Sequence, residues 1–364
     1  MSEWKEYRFS DFVDINPIVK IPKGAPVSFV EMKDLDSMTK YCTYSQMKEL
    51  GGGSRFKDED TLFARITPCL ENGKICKVRG LKNGYGFGST EFYVFRGKDG
   101  VSDSDFVYYL SRSEDVRSHA EHNLEGSSGR QRVPKEAFEN LVLKLPPLDE
   151  QKRIAGVLRS LDDKIDLLHR ENATLEALAE TLFRHYFIEN PAPSWKEGKL
   201  GELIEVKYGK DHKKLGDGRI PVIGSGGIMR YADKALFDRE SVLIPRKGSL
   251  DNVMYIDEPF WTVDTMFYTK MKKAHVAKFV YQFIKTLDLV NMNVGSAVPS
   301  MTTEVLNNVP LEIPSQTALD DYDRIVTPVY MKIKFNQQQM QTLVTQRNTL
   351  LPRLMSGEVK VKGQ

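Results

Sequence analysis

LDEQKRIAGVLRSLDDKIDLLHRENATLEALAETLFRHYF, residues 148–187, follows the helix breaker Pro146-Pro147. Within it Ile154, Leu158, Leu161, Ile165, Leu168, Asn172, Leu175, Ala179, Leu182 and Tyr186 recur at alternating spacings of four and three. That heptad spacing predicts one long helix with an apolar seam that requires a partner helix. A helix of about 39 residues reaches roughly 58 Å at about 1.5 Å per residue. A second seam, Tyr322, Val326, Val329, Ile333, Asn336, Met340, Leu343, Arg347, Leu350 and Leu354, has the same phase 168 residues later, a whole number of heptads. Two helices with equivalent faces are expected to pair with each other. The alternatives are a seam that frays at its polar positions, or two helices that pack separately on their own domains, and the shared phase speaks against the second. Asn172, Asn336 and Arg347 fall on the seams, where a polar residue costs stability and fixes register. Thr327-Pro328 reads as an N-cap followed by proline at the first helical position. A kink or restart is therefore expected there, and Pro352 interrupts the same helix.

Outward from the helices, the chain reads as a duplication. Trp4-Lys5-Glu6-Tyr7-Arg8-Phe9 parallels Trp195-Lys196-Glu197-Gly198-Lys199-Leu200, and Asp60-Thr61-Leu62-Phe63-Ala64-Arg65 parallels Glu240-Ser241-Val242-Leu243-Ile244-Pro245-Arg246. Phe106-Val107-Tyr108 matches Phe279-Val280-Tyr281, Gly126-Ser127 matches Gly295-Ser296, and Asn140-Leu141-Val142-Leu143-Lys144-Leu145-Pro146 matches Asn308-Val309-Pro310-Leu311-Glu312-Ile313-Pro314. The offset drifts from 191 to 168 residues, so insertions differ between the halves while their order is kept. Before its helix, each half carries short β-type runs (61–66, 91–95, 241–244, 266–269) separated by Gly, Asn and Asp clusters. This suits a small, twisted, mainly β domain with a few helices, expected near 104–119 and 274–290. The predicted class is α+β, with two mainly β domains joined by two long antiparallel coiled-coil helices in a pseudo-two-fold repeat. The expected boundaries are 1–147 and 189–314 for the domains, 148–188 and 315–357 for the helices, and 358–364 for a tail.

The 364 residues have 52 Lys and Arg against 50 Asp and Glu, so a histone-like basic coat is excluded but local basic patches are not. Forty per cent hydrophobic content is ordinary for globular chains, and no apolar run approaches the roughly 18 residues of a membrane span. No secretory signal is expected from MSEWKEYRFS, and the three cysteines, Cys42, Cys69 and Cys76, include no CxxC pair, which suits a reducing cytoplasm.

Catalytic patterns are missing. There is no GxxxxGK[ST] phosphate loop, and Gly84-Tyr85-Gly86-Phe87-Gly88 leads into a strand, not a helix, so it is read as a bend. The Asn/Asp-Pro-Pro-aromatic tetrapeptide of base-amino methyltransferases is absent. His119, Glu121 and His122 lack the HExxH order and read as a solvated helix face. Glu31-Met32-Lys33 is an ExK step of the kind that holds a divalent metal in nucleases, but no Pro-Asp dipeptide supplies its usual partner. A charged strand end is the simpler reading.

Positive charge instead gathers in glycine-bearing loops. Ser127-Ser128-Gly129-Arg130-Gln131-Arg132 combines Arg and Gln, which read guanine and adenine edges, with small residues that let backbone approach phosphate. Lys207, Lys210, Lys213 and Lys214 cluster in the second half with Tyr208 and His212 interleaved. Arg65-Ile66-Thr67 and Arg246-Lys247-Gly248-Ser249 occupy equivalent places in the halves, and Lys74 follows in the first. Any one loop alone is better explained by solvation; recurrence in both halves carries the nucleic-acid reading. The expected DNA contacts are Arg65, Thr67, Lys74, Ser127, Arg130, Gln131, Arg132, Lys210, Lys213, Lys214, Arg246, Lys247 and Ser249.

With helices and duplication established, the chain resembles the specificity (S) subunit of type I restriction-modification enzymes. Leu145-Pro146-Pro147-Leu148-Asp149-Glu150-Gln151-Lys152-Arg153-Ile154 is similar to the start of that family's first conserved helix, and Leu182-Phe183-Arg184-His185-Tyr186-Phe187 to its end. Leu350-Leu351-Pro352-Arg353-Leu354-Met355-Ser356-Gly357-Glu358 resembles the end of the second, and Ile220-Pro221-Val222-Ile223-Gly224-Ser225-Gly226-Gly227-Ile228 the start of many second recognition domains. The start of the second helix, Ser315-Gln316-Thr317-Ala318-Leu319-Asp320, departs from the pattern, as does Pro328. The resemblance implies two target-recognition domains that each read one half of a bipartite site in double-stranded DNA. It implies helices that set the spacing and dock two modification subunits, which carry S-adenosylmethionine and methylate adenine, with restriction subunits joining later. It implies no catalytic residue, cofactor or metal in this chain, and no membrane. The metal-dependent nuclease and a coiled-coil adaptor for proteins remain the competing classes.

Overall fold

A computed structural model describes residues 3–22, 24–127, 129–292 and 301–361. The parallel at Gly295-Ser296, Ser128 of the basic loop and the last residues of the tail lie outside these. The chain divides into two compact units, Met1–Glu171 with Phe335–Gln364, and Asn172–Lys334. Both divisions fall inside the long helices, so each unit holds one β-rich domain with part of each helix.

In the first unit the strands Val13–Ile15, Phe92–Gly97, Thr61–Ala64, Ile75–Val78 and Tyr41–Cys42 form one sheet in that order. Gln46–Lys48, Val27–Val30, Tyr85–Gly88 and Ser54–Lys57 form a second. Phe9, Phe63, Phe95 and Phe138 pack with ring centroids 5.2 to 5.6 Å apart at the centre of its core, mostly edge to face or tilted, as ring quadrupoles favour. The glycines of 84–88 are not simply a bend. Gly84 makes the turn at φ 75°, but Gly86 and Gly88 lie within the strand, where a Cβ would sit 2.8 and 2.5 Å from the carbonyl oxygens of Ser28 and Val30. In the second unit, Ile204–Tyr208, Met266–Met271, Ser241–Pro245 and Met254–Ile256 form a sheet beside Gly227–Ala232, Asp217–Gly224 and Trp261–Thr262.

The repeated sequence is realised as repeated pairing. Lys5–Arg8 runs antiparallel to Val142–Leu145 with Lys5 opposite Leu145, and Lys196–Lys199 runs antiparallel to Pro310–Ile313 with Lys196 opposite Ile313. These are the positions the two sequence offsets connect. The predicted helix at 104–119 is two helices, Ser104–Arg112 and Glu114–His122, broken at Ser113, whose hydroxyl bonds the carbonyl of Leu110. Its counterpart is shorter than expected, Ala277–Lys285.

The first long helix is Leu148–Arg184, followed by a π-helical turn His185–Glu189. Its start is pinned by Gln151, which is buried. The Gln151 amide donates to the carbonyls of Val101 and Pro146, and its oxygen accepts from the Asp103 amide. The equivalent position in the second helix is Leu319, also buried, which explains why that helix opens on a different sequence. The second helix runs unbroken over Gln316–Met355, so no restart occurs at Pro328. Pro328 is exposed, which leaves the carbonyl it cannot bond within reach of water. Gly357, at φ 73°, ends the helix, and the Val359 amide bonds back to the Arg353 carbonyl.

In the first unit Ile165 and Leu168 pack with Met340 and Val344, flanked by Leu343, while Ile154, Leu158 and Leu354, flanked by Leu350, join the domain core. In the second, Ala179, Phe183 and Phe187 meet Leu319, Tyr322 and Val326, flanked by Leu182 and Val329. Asn172 donates from its amide to the Ile333 carbonyl at 3.4 Å. Leu161 and Leu175 are only half-buried, contrary to their place in the heptad reading. The buried stripe runs through Gln151, Ala155, Leu158 and Asp162, because this end of the helix packs on its own β domain as well as on the other helix. That contact favours a 3.6-residue period over 3.5.

Asp162 is the residue the seam reading missed. Arg347 reaches it with 2.7 Å between Nη1 and Oδ1, and both side chains are almost wholly buried. Tyr109 donates its hydroxyl to the other carboxylate oxygen at 2.6 Å, and the Arg347 guanidinium also donates to the Met38 carbonyl and to Asn348 Oδ1. Burial first, and then the Asp162 charge, push the Tyr109 phenol far above its ordinary range. Removing one partner of such a pair strands the other. Arg347→Ala is expected to cost about 3–5 kcal/mol in chemical denaturation, and Asp162→Asn with Arg347→Met to recover part of that loss in a double-mutant cycle.

A second ionic cluster sits on the same domain. Asp105 pairs with Lys40 at 2.8 Å, Lys77 at 2.6 Å and Arg159 at 3.3 Å. Lys40 makes an ion pair there without hydrogen-bond alignment. Burial alone would raise the Asp105 carboxyl; Lys40 and Lys77 outweigh it and hold the group down at about 2. A folded value below the unfolded one means that this stabilisation is complete above about pH 4 and is lost as pH falls toward 2. Asp105→Asn should remove about 2 kcal/mol at neutral pH and flatten the acid limb of a stability–pH profile.

Candidate nucleic-acid interface

In the first unit the strand Thr61–Ala64 delivers Arg65 to the domain edge. The Arg65 amide donates to the Glu91 carbonyl, and its own carbonyl accepts from the Val133 amide at 2.9 Å. The guanidinium lies 4.7 Å over the Tyr93 ring. In the second unit the strand Ser241–Pro245 delivers Arg246 in the same way. Its amide donates to the Thr265 carbonyl, its carbonyl accepts from the Met301 amide at 3.0 Å, and its guanidinium lies 5.2 Å over Tyr208. Arg246 Nη1 also donates to the Asp264 carbonyl. An arginine spread on an aromatic face keeps its orientation at little entropic cost and leaves its edge open for an acceptor.

Beside Arg65 the basic loop is closed at its base. Glu125 and Arg132 exchange both backbone hydrogen bonds, at 2.8 and 2.9 Å. Thr67 and Gln131 are tied across the same base: each amide donates to an oxygen of the other at 3.0 Å, through the Gln131 carbonyl and the Thr67 hydroxyl. Thr67 is therefore buried and positions the loop; its hydroxyl is not offered to a ligand. Arg132 is forked onto Glu91, with Nη2 at 2.7 Å from Oε1, a contact that raises its pKa. Gly126 and Gly129 turn the loop at φ 113° and 81°, leaving Ser127 and Arg130 exposed at its rim. Lys74 does not join this group, because its ammonium donates to the Met32 carbonyl at 2.8 Å.

In the second unit Lys210, Lys213 and Lys214 are exposed on one loop, and Lys247 and Ser249 on another. The first loop is fixed where the Lys210 carbonyl accepts from Trp261 Nε1 and where Asp211 accepts from the Lys213 amide. The second abuts the turn Ser225-Gly226, since Asn252 donates to the Ser225 carbonyl and a Cβ on Gly248 would lie 3.0 Å from the Ser225 hydroxyl.

The competing metal reading finds little. Glu31 caps a short 3-10 turn, pairs with Lys33 at 2.6 Å, and accepts from Gln46. Lys33 is the foremost cause that lowers its pKa. Among the described residues no three metal-ligating side chains gather. Among them, too, no helix is long and apolar enough to cross a membrane.

Comparison with known proteins agrees with the resemblance. The profile of the family described as "Type I restriction modification DNA specificity domain" matches residues 1–177 and 193–343. The chain is 31% identical over 205 residues to the type I restriction enzyme EcoEI specificity subunit of Escherichia coli, covering 53% of this chain and 34% of that protein. It is 29% identical over 218 residues to the EcoAI specificity subunit of the same organism, covering 56% and 37%. With the MjaIX specificity subunit of Methanocaldococcus jannaschii it shares 23% identity over 308 residues, covering 73% and 71%. The match thus spans about a third of the length of the two Escherichia coli relatives. In fold, it is similar to the crystal structure of the type I restriction-modification S subunit from M. genitalium, with TM-score 0.57 and 16% identity over 97% of this chain and 96% of that one. A profile that matches both halves in order, on a chain whose halves repeat the same strand pairing, places this protein in the type I restriction-modification DNA specificity family.

Proposed function

We propose that this chain is the non-catalytic DNA-recognition subunit of a type I restriction-modification complex of the cytoplasm. Each β-rich domain reads one half of a bipartite site in double-stranded DNA. The observation that carries this reading is the recurrence, in both units, of a strand-end arginine on a tyrosine face with the same two backbone locks, bordered by exposed Arg or Lys. In the first domain Arg130 reads a base edge or a phosphate while Arg65, Gln131 and Arg132 hold the surrounding loop; in the second Lys210, Lys213, Lys214, Arg246, Lys247 and Ser249 face the DNA. The long helices pair as an antiparallel coiled coil, set the distance between half-sites, and dock two modification subunits in a pseudo-two-fold arrangement. S-adenosylmethionine binds on those subunits, and restriction subunits complete the complex. Successive major-groove faces recur about every 34–36 Å, a spacing that a rigid helical pair can hold.

The test is a methylome. The chain is expressed with its cognate modification subunit in a host without DNA methylation, and modified adenines are mapped by long-read sequencing. The expected result is a bipartite motif that disappears when this chain is omitted. A stable complex bound to a protein and indifferent to DNA and salt would support the adaptor reading, and magnesium-dependent cleavage by this chain alone the nuclease reading. Arg130→Ala is expected to relax one half-site only, weakening binding by about 1–3 kcal/mol if the contact is to a base. Lys213→Ala with Lys214→Ala should weaken all sequences alike and reduce the slope of log K against log salt by about 2.

A further inference from the structure

The hairpin formed by Asp217–Gly224 and Gly227–Ala232 exposes an unusual set of side chains. Ile228 and Met229 are each 58% exposed and Tyr231 is 50% exposed, although strands normally turn such residues inward. The cause is a bulge. Val222 pairs with Arg230 and Ile223 with Ile228, so Met229 has no partner and the alternation is reset. Both Ile228 and Met229 thereby face outward next to the Ser225-Gly226 turn. Met229 leans on Gly224, where a Cβ would lie 2.7 Å from its sulfur, so glycine there leaves the thioether room.

This apolar tip stands among the lysines. Arg230, between Met229 and Tyr231, donates to the carbonyls of His212 and Leu215, which bracket Lys213 and Lys214. On its other side, Ser225 is held by Asn252 and abuts Gly248, next to Lys247. Of the carboxylates on these loops, Asp211 accepts from the Lys213 amide and Asp217 pairs with Arg230 at 3.3 Å, while Asp233 and Asp251 lie exposed at the base of the hairpin and on the Lys247 loop. A two-stranded ribbon fits the major groove, and the one apolar feature that groove offers is the 5-methyl group of thymine. Exposed apolar side chains ringed by cations match that combination better than they match a protein surface, which would leave the lysines without partners.

We propose that Ile228 and Met229 form a thymine reader: in the second unit the hairpin tip contacts a 5-methyl group in the major groove while Lys213, Lys214 and Lys247 neutralise flanking phosphates. This rests on the DNA-recognition reading and adds the chemical group that is read. The experiment uses the full chain assembled with its modification subunits and a duplex bearing the mapped site, with thymine replaced by 2′-deoxyuridine in one half-site at a time. Uracil keeps every Watson–Crick and groove hydrogen-bonding group and lacks only the methyl. The expected result is about three- to tenfold weaker binding when one particular half-site carries uracil. Ile228→Ala with Met229→Ala should bind thymine and uracil duplexes with the same lowered affinity, with unchanged thermal unfolding because both residues are exposed, and Met229→Leu should keep the discrimination. Wild-type binding that is indifferent to uracil in both half-sites, or discrimination that survives in the double alanine variant, would overturn the thymine reader and leave DNA recognition standing. A complex that binds neither duplex would overturn DNA recognition itself and the thymine reader with it.

Discussion

The buried contact between Arg347 and Asp162 ties together parts of the chain 185 residues apart in sequence: the two long helices, and through Tyr109 and the Met38 carbonyl the β domain they carry. Desolvating two charges is expensive, and their attraction offsets it only where geometry is good and the remaining donors and acceptors are used. Here Tyr109, the Met38 carbonyl and Asn348 use them. An ion pair of this kind adds little net stability over an apolar pair, but it tolerates no other register, because a one-residue slip would leave both charges buried and alone. The helices could slide on leucines; they cannot slide on this contact.

The second unit solves the same problem without charge. By the repeat, Tyr109 corresponds to Gln282, Asp162 to Tyr330, and Arg347 to Ala179. Gln282 donates to the Tyr330 hydroxyl at 2.8 Å, so a domain helix again holds a long helix at the same place. The ionic clusters diverge further. Where the first unit places Asp105 among Lys40, Lys77 and Arg159, the second places Lys278 between Glu240 and Asp323, each at 2.9 Å. Burial opposes the charge on Lys278, and the two carboxylates raise its pKa in spite of it. The sign of the central charge is inverted between equivalent positions, and with it the charge required of the helix that packs there.

Much of this was legible in the residues. The heptads and the breaker at Pro146-Pro147 foretold two long helices, and the parallels of Lys5 with Lys196 and of Leu145 with Ile313 foretold a repeat that the fold realises as strand pairing in the same register. Other features were not. Leu161 looked like seam because heptad spacing describes helices that meet only each other, whereas this helix also lies on a sheet. Thr327-Pro328 looked like a helix start because local capping chemistry does not register that an exposed turn can spare one hydrogen bond. Thr67, Lys74 and Arg132 looked available for DNA because composition cannot distinguish a side chain that makes the loop from one the loop displays. Arg130, Lys210, Lys213, Lys214 and Lys247 differ from them in lying exposed on their loops, with their charged ends turned to solvent. The Met229 bulge had no sequence signal beyond the glycines around it.

The inverted clusters have a consequence for heredity. Genes of repeated architecture exchange segments by recombination, and a crossover placed in the loops at either end of a β domain would set Lys278 against Arg159, or Asp105 against Asp323. Such a hybrid would set like charges beside each other at the edge of the domain core. A crossover within the helices, where the two compact units divide near residues 171 and 334, transfers each domain together with the helical segments whose charge it needs. The segment that can be exchanged without a charge mismatch is therefore larger than a β-rich domain, and its ends lie within the long helices.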